Sequence, residues 1–236
     1  MMRLTGTRAC ATSAAPTPPR LTTGRRADSL VGALANPHVR LGVGAVALLG
    51  TALAVRRDRV SLGEARVFRS INGLPDALHP PAWALMQLGT LGAAPAAAGA
   101  AWLAGDPELA GQLLASGVGT WALSKLVKQT VRRPRPAALL AGTRCRGREA
   151  AGLGYLSGHA GVAIALGAAA LPHRGPPGRA LTVIAIPVVG LTRVYVGAHL
   201  PLDIVGGAAL GLSVEALVSL VKSGDRRACG ASRGGR

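Results

Sequence analysis

Acidic residues are scarce in this chain: ten Asp and Glu stand against 27 Lys and Arg in 236 residues, a formal charge of +17. Only 16% of the residues are charged, where a water-soluble domain carries about a quarter. An ordinary solvated surface is thereby excluded for much of the molecule. Aromatic rings are scarcer still, with one Phe, two Tyr and three Trp. A groove that holds bases needs stacking rings and a wet basic face, so the positive excess does not point to nucleic acid. An anionic membrane surface or an anionic substrate is the fitting partner. The cysteines, Cys10, Cys145 and Cys229, are odd in number and far apart; they show neither a disulfide framework nor a metal spacing. No run of carboxylates is placed to hold Mg²⁺, so no cofactor is expected.

What the chain has in abundance is apolar sequence, at 49% of its residues. Residues 1–38 are rich in Arg, Ala, Pro, Ser and Thr, with no acid before Asp28 and no apolar stretch fit for a secretory leader. They read as a disordered basic cytoplasmic tail, with an organelle transit peptide as the compositional alternative. Six apolar runs follow: Leu41 to Val55, Trp83 to Leu103, Leu109 to Val127, Gly158 to Leu171, Ala180 to Val196 and Leu202 to Val221. Each approaches the ~20 residues that cross a hydrocarbon core. The expected architecture is therefore all-α, a bundle of six transmembrane helices over residues 39–222, followed by a disordered basic tail over 223–236. Between the first two runs, LGEARVFRSINGLPDAL places Leu62, Ala65, Phe68 or Val67, and Ile71 on one helical face, with Glu64, Arg66 and Arg69 elsewhere. That pattern suits an amphipathic helix lying at the membrane interface and, equally, a plain connecting helix.

Polar groups collect at particular ends of these runs. The third run closes on KQTVRRPRP, with Lys128, Arg132, Arg133 and Arg135, and with Pro134 and Pro136 to stop the helix. Ser157, Gly158 and His159 open the fourth, where a serine cap and free helix N–H groups suit an anion. Arg193 ends the fifth, and His199 to Asp203 opens the sixth. A count of six places these four ends on one side of the membrane. Lys128, Arg135 and Arg193 can then orient a phosphate, the guanidinium forks matching its oxygens. Asp203, in a first helical turn, can fix the ring of His199 for attack on phosphorus, and His159 can protonate the departing oxygen. Taken singly each motif has a plain alternative: a basic flank, a serine cap, a capping histidine. Their convergence favours the chemical reading.

These residues resemble the type 2 phosphatidic acid phosphatase family, membrane lipid phosphatases related to bacterial acid phosphatases and vanadium haloperoxidases. The family's first motif, Lys followed seven residues later by Arg-Pro, is matched by Lys128, Arg135 and Pro136. Its Pro-Ser-Gly-His is matched by Leu156, Ser157, Gly158 and His159, and its Ser-Arg, five residues, His, three residues, Asp by Thr192, Arg193, His199 and Asp203. The departures are Leu156 for Pro, which loosens the loop before the helix, and Thr192 for Ser, which keeps a hydroxyl. The resemblance covers roughly residues 60–215 and implies a phosphatase/haloperoxidase-like core. It implies His199 as nucleophile, Asp203 as its partner and His159 as acid. Lys128, Arg135, Ser157, Gly158 and Arg193 would form the phosphate cradle.

The expected activity is metal-independent hydrolysis of a lipid phosphate or diphosphate through a phosphohistidine. Polyprenyl phosphates, phosphatidic acid and phosphatidylglycerophosphate all remain open as substrates. An Ala, Gly and Arg bias suggests a bacterial genome of high GC content, which tilts the choice towards polyprenyl carriers of envelope synthesis. The resemblance places the site on the outer face of a bacterial cell membrane; Lys and Arg divide nearly evenly between the two sides and do not decide it. Rival readings are a soluble enzyme of the same superfamily, which the apolar runs oppose, and a non-enzymatic membrane relative that binds lipid phosphates.

Overall fold

The computed structural model describes residues 35–56, 59–147 and 152–233, with side chains as far as 224. The expected N-terminal tail lies outside these residues apart from its last four positions. Among the described residues the structure is helical, without strands: α1 Pro37–Val55, α2 Leu62–Asn72, α3 His79–Met86, α4 Ala93–Leu103, α5 Pro107–Val131, the short α6 Pro136–Leu139, α7 Gly158–Ala170, α8 Pro176–Tyr195 and α9 Pro201–Arg233.

Local chemistry sets the helix ends. Asn36 accepts from the N–H of His38 and Pro37 occupies the first turn, so α1 begins two residues before the expected boundary. Asp106 caps α5 through the N–H of Leu109, and Ser157 caps α7 through that of Ala160. No proline interrupts α9, which runs helical to Arg233 through residues that sequence assigns to a tail.

Three helices, α1, α8 and the Pro201–Gly224 portion of α9, are long and apolar enough to cross a membrane. Val46, Leu49 and Leu53 are more than 60% exposed along one side of α1, an outward apolar stripe that water would penalise and lipid would not. The chain is an integral membrane protein. Six spans are expected from the sequence, and the second, third and fourth are not among these three: α5 is long but less apolar, and the other two are broken or short. The second run is broken: α3 ends at Met86, a 3-10 turn covers Gln87–Gly89, and α4 starts at Ala93. Gly89 backs onto the main-chain carbonyl of His159, where a Cβ would collide, so this break lets the chain pass close under the start of α7. The fourth run yields only the 13 residues of α7, about 20 Å of helix and short of a hydrocarbon core.

The bundle is assembled around α9, which packs on α1, α7 and α5. Contact with α7 is backbone to backbone: at Gly207 and Gly211 a Cβ would strike the carbonyls of Ser157 and Gly161. Small residues let helices approach this closely within lipid, and here the approach brings the first turns of α7 and α9 side by side.

Candidate active site

Four helix ends meet at one end of the bundle: the C-termini of α5 and α8 and the N-termini of α7 and α9. The N–H of Ser157 donates to the carbonyl of Asp203 at 2.8 Å, joining α7 to α9. Lys128 Nζ donates to the carbonyls of Leu153 and Gly154, each at 3.1 Å, joining α5 to the loop before Ser157. Arg135 Nη1 donates to the carbonyl of Ala198 at 2.7 Å, beside His199. His159 and His199 both lie within electrostatic reach of Lys128 and Arg193. All eight site residues expected from the sequence thus belong to one neighbourhood.

The sequence RRPRP sends its cations in different directions because α5 ends in a left-handed residue. Arg132 has φ 56°, and its N–H closes the helix on Lys128; the reversal costs an L-residue some strain. Past that reversal Arg132 points out, Arg133 points inward with no exposed surface, and Arg135 turns to the rim. Burial holds the Arg135 guanidinium below its ordinary value, with Asp203 opposing.

Asp203 sits at the third position of α9 and is fully buried. Its Oδ2 accepts from the N–H of Leu200 at 2.8 Å, the contact of an acid that reaches back to cap its own helix. The same oxygen is 3.7 Å from His199 Nδ1, a charge contact longer than a hydrogen bond. The capping role and the orienting position are therefore held by one carboxylate. His199 itself is 3% exposed, and burial pushes its imidazole down to about 3 against the pull of Asp203. It is neutral at pH 7, which leaves a ring nitrogen lone pair free.

Both departures from the family pattern find a place. Leu156 is fully buried in a cluster with Val55, Tyr155, Leu210 and Val214, so packing against α1 and α9 supplies the rigidity that a proline ring would. Thr192 turns its hydroxyl onto the carbonyl of Val189 at 2.8 Å, within its own helix and away from the site.

Sequence reasoning missed two members of this neighbourhood. Arg133 Nη1 donates to Asp203 Oδ1 at 2.8 Å, and its other contacts run to Glu64 on α2. The sequence pattern places Glu64 off the apolar face and Leu62 on it; in the structure Leu62 is 85% exposed and Glu64 is buried with Ala65, Phe68 and Asn72. The spacing Glu64, Phe68, Asn72, one residue every turn, was the available signal. A cavity of about 250 Å³ opens at the rim, between α3 and the 145–147 loop, lined by His79, Trp83, Met86, Arg146, Arg193 and Ala198 among others. Among the described residues no three His, Cys, Asp or Glu side chains gather as a metal site.

A helical membrane protein whose helix ends bring two histidines, a buried aspartate and three cations together defines a phosphate-handling enzyme class. Comparison with known proteins makes the class definite. The PAP2 superfamily model matches residues 109–227. Decaprenylphosphoryl-5-phosphoribose phosphatase of Mycobacterium tuberculosis, in strains H37Rv and CDC 1551, is 33% identical over 127 residues, covering 52% of this chain and 68% of the relative. The crystal structure of a transmembrane PAP2-type phosphatidylglycerolphosphate phosphatase from Bacillus subtilis superposes with a TM-score of 0.56 at 20% identity, over 76% of this chain and 94% of that one. The chain belongs to the PAP2 superfamily and is a phosphatase of that family.

Proposed function

We propose that this protein hydrolyses a lipid phosphate at the membrane surface through a phosphohistidine, without a metal ion. The observation that carries the reading is the meeting of Lys128, Arg135, Arg193, His159 and His199 at the rim where α7 and α9 begin. In this scheme the three cations, the Ser157 hydroxyl and the N–H group of Gly158 hold the phosphate oxygens. Asp203 lies on the Nδ1 side of His199, which leaves Nε2 to attack phosphorus. As the N–P bond forms, the P–O bond to the lipid alcohol breaks and His159 gives its proton to that oxygen. His159 then takes a proton from water, whose oxygen attacks the phosphohistidine; phosphate leaves and His199 is regenerated.

The bundle is read as six membrane-crossing segments over residues 39–222, with α3 and α4 forming one broken crossing and α7 a short one. Parity then puts the four converging ends on one face, assigned to the outside of a bacterial cell membrane. Arg146 and Trp83 border the cavity next to Arg193, which is the space for the group esterified to the phosphate. The relation to decaprenylphosphoryl-5-phosphoribose phosphatase supports a polyprenyl-linked phosphate over a glycerolipid.

The test is phosphate release by the purified protein in detergent from a polyprenyl phosphate, phosphatidic acid and phosphatidylglycerophosphate, each with and without EDTA. Release that persists in EDTA and falls by about 10³-fold or more in His199→Ala is expected. Comparable turnover in a His199→Ala protein that still inserts would remove His199 from the mechanism.

A further inference from the structure

Arg133 has no exposed surface, yet its charge plays no part in the phosphate cradle. Its Nη1 donates to Glu64 Oε1 at 3.2 Å and to Asp203 Oδ1 at 2.8 Å, and its Nη2 donates to Glu64 Oε2 at 2.8 Å. Glu64 Oε1 also accepts from the N–H of Leu202 at 3.1 Å, in the first turn of α9. Both oxygens of Asp203 are thereby committed, Oδ1 to Arg133 and Oδ2 to Leu200 N–H on the side facing His199. The carboxylate cannot rotate without breaking one of these contacts. Three buried ionised groups carry a heavy desolvation cost, and packed apolar residues would often serve stability better. A mere staple is also superfluous here. Helix α2 is already seated by Ala65 and Phe68 against Leu140, Val194 and Leu200, and Asn72 bonds the main chain at Arg144 and Tyr195.

We propose that Glu64 and Arg133 are positioning residues for the nucleophile, extending the Asp203–His199 pair into a four-membered relay anchored on α2. The relay rests on the reading of His199 as nucleophile. Arg133 fixes the angle of Asp203. Glu64 returns the negative charge that Arg133 would otherwise cancel, so the group of three keeps a net charge of −1 beside the imidazole. That charge matters when attack on phosphorus turns the neutral ring positive. From the other elements His199 faces the cations Lys128 of α5 and Arg193 of α8, with Arg135 and His159 at the rim. Among the described residues, Asp203, backed by Glu64, is the negative group set against these.

Glu64→Gln keeps the shape and an oxygen for Leu202 N–H while removing the charge. In the full chain in detergent, with a short-chain polyprenyl phosphate as probe, kcat should fall about tenfold with KM held within about twofold, because the cradle is untouched. The acid limb of kcat/KM should move to lower pH, since a ring with less negative charge beside it is harder to protonate. Arg133→Lys keeps the charge balance but cannot grip two carboxylates, and should give the same kcat and KM split with a smaller shift of the limb. It carries the test alone if Glu64→Gln folds poorly. Wild-type kcat and an unmoved acid limb in the folded variants would overturn the relay. Wild-type release with a dead His199→Ala and an unaffected Glu64→Gln sinks the relay only; no release from the wild type sinks the site reading and the relay together.

Discussion

Helix α9 carries two buried acids twelve residues apart, about 18 Å along its axis, and each heads a charged network of a different kind. At the first, Asp203 meets Arg133 and faces a histidine whose Nδ1 is buried without a hydrogen-bond partner. At the second, Glu215 pairs with Arg40 of α1 at 3.0 Å and its Oε1 accepts from Gln112 of α5 at 3.1 Å and from Ser219 at 2.7 Å. Gln112 also donates to Ser219 at 3.0 Å. The second network binds three helices to one another and holds no histidine. Burial of charge in a membrane bundle is thus no mark of chemistry in itself. What separates the two is a neutral histidine ring facing the cations Lys128 and Arg193 at the first, and contacts among helix-borne groups alone at the second.

Changing each acid should separate catalysis from cohesion. Asp203→Asn keeps volume but cannot balance the positive charge that His199 acquires; kcat should fall by about 10³-fold or more, while stability falls by only about 1–2 kcal/mol, because the amide can no longer accept from both Arg133 and the Leu200 N–H. Glu215→Ala should do the opposite. It removes the carboxylate that the partly buried Arg40 pairs with, a loss of about 2 kcal/mol in stability, with kcat per folded molecule unchanged. Replacing Arg40 and Glu215 together by Met should recover most of that stability, since no lone charge is left buried. Loss of turnover in Glu215→Ala at wild-type stability would show that the second network reaches the site and would break the contrast.

The two networks were unequally legible in the sequence. Lys128, Arg135, Ser157, His159, Arg193, His199 and Asp203 stand out because polar groups at the ends of apolar runs have few structural uses, and their spacing matches a family pattern. Glu64 and Glu215 do not stand out. Each lies inside a helix, and only the packing of that helix decides whether a carboxylate faces lipid, water or a cation. Arg133 was visible as part of a basic flank, but its burial depends on the left-handed turn at Arg132, which composition does not announce. The break in the second apolar run at Gln87–Gly89 was hidden for a similar reason: the local sequence is mostly apolar, and the break answers the backbone of His159 across the bundle. Apolar runs therefore located the helices, whereas long-range contacts decided where they stop.

The smallest expected effect concerns Tyr155, which sits between the two regions. Its ring is fully buried against Gly206 of α9, and its hydroxyl lies 2.8 Å from Thr51 Oγ1 and donates to Leu48 O at 3.2 Å, both on α1. It precedes Leu156 and Ser157, so α1 is tied through it to the loop that opens α7. Tyr155→Phe keeps the ring and removes only the hydroxyl. Thr51 retains its own bonds to Ala47 O and Leu48 O, so no buried donor is orphaned and the loss should be about 1 kcal/mol. Turnover should stay within about twofold, because the ring and Leu156 still wedge the loop against α9. Stability is read from thermal unfolding in detergent and turnover from phosphate release on the same preparation. A large fall in kcat at nearly native stability would place the hydroxyl, and α1 with it, among the groups that tune the reacting histidine, and the boundary drawn between the two regions would have to move.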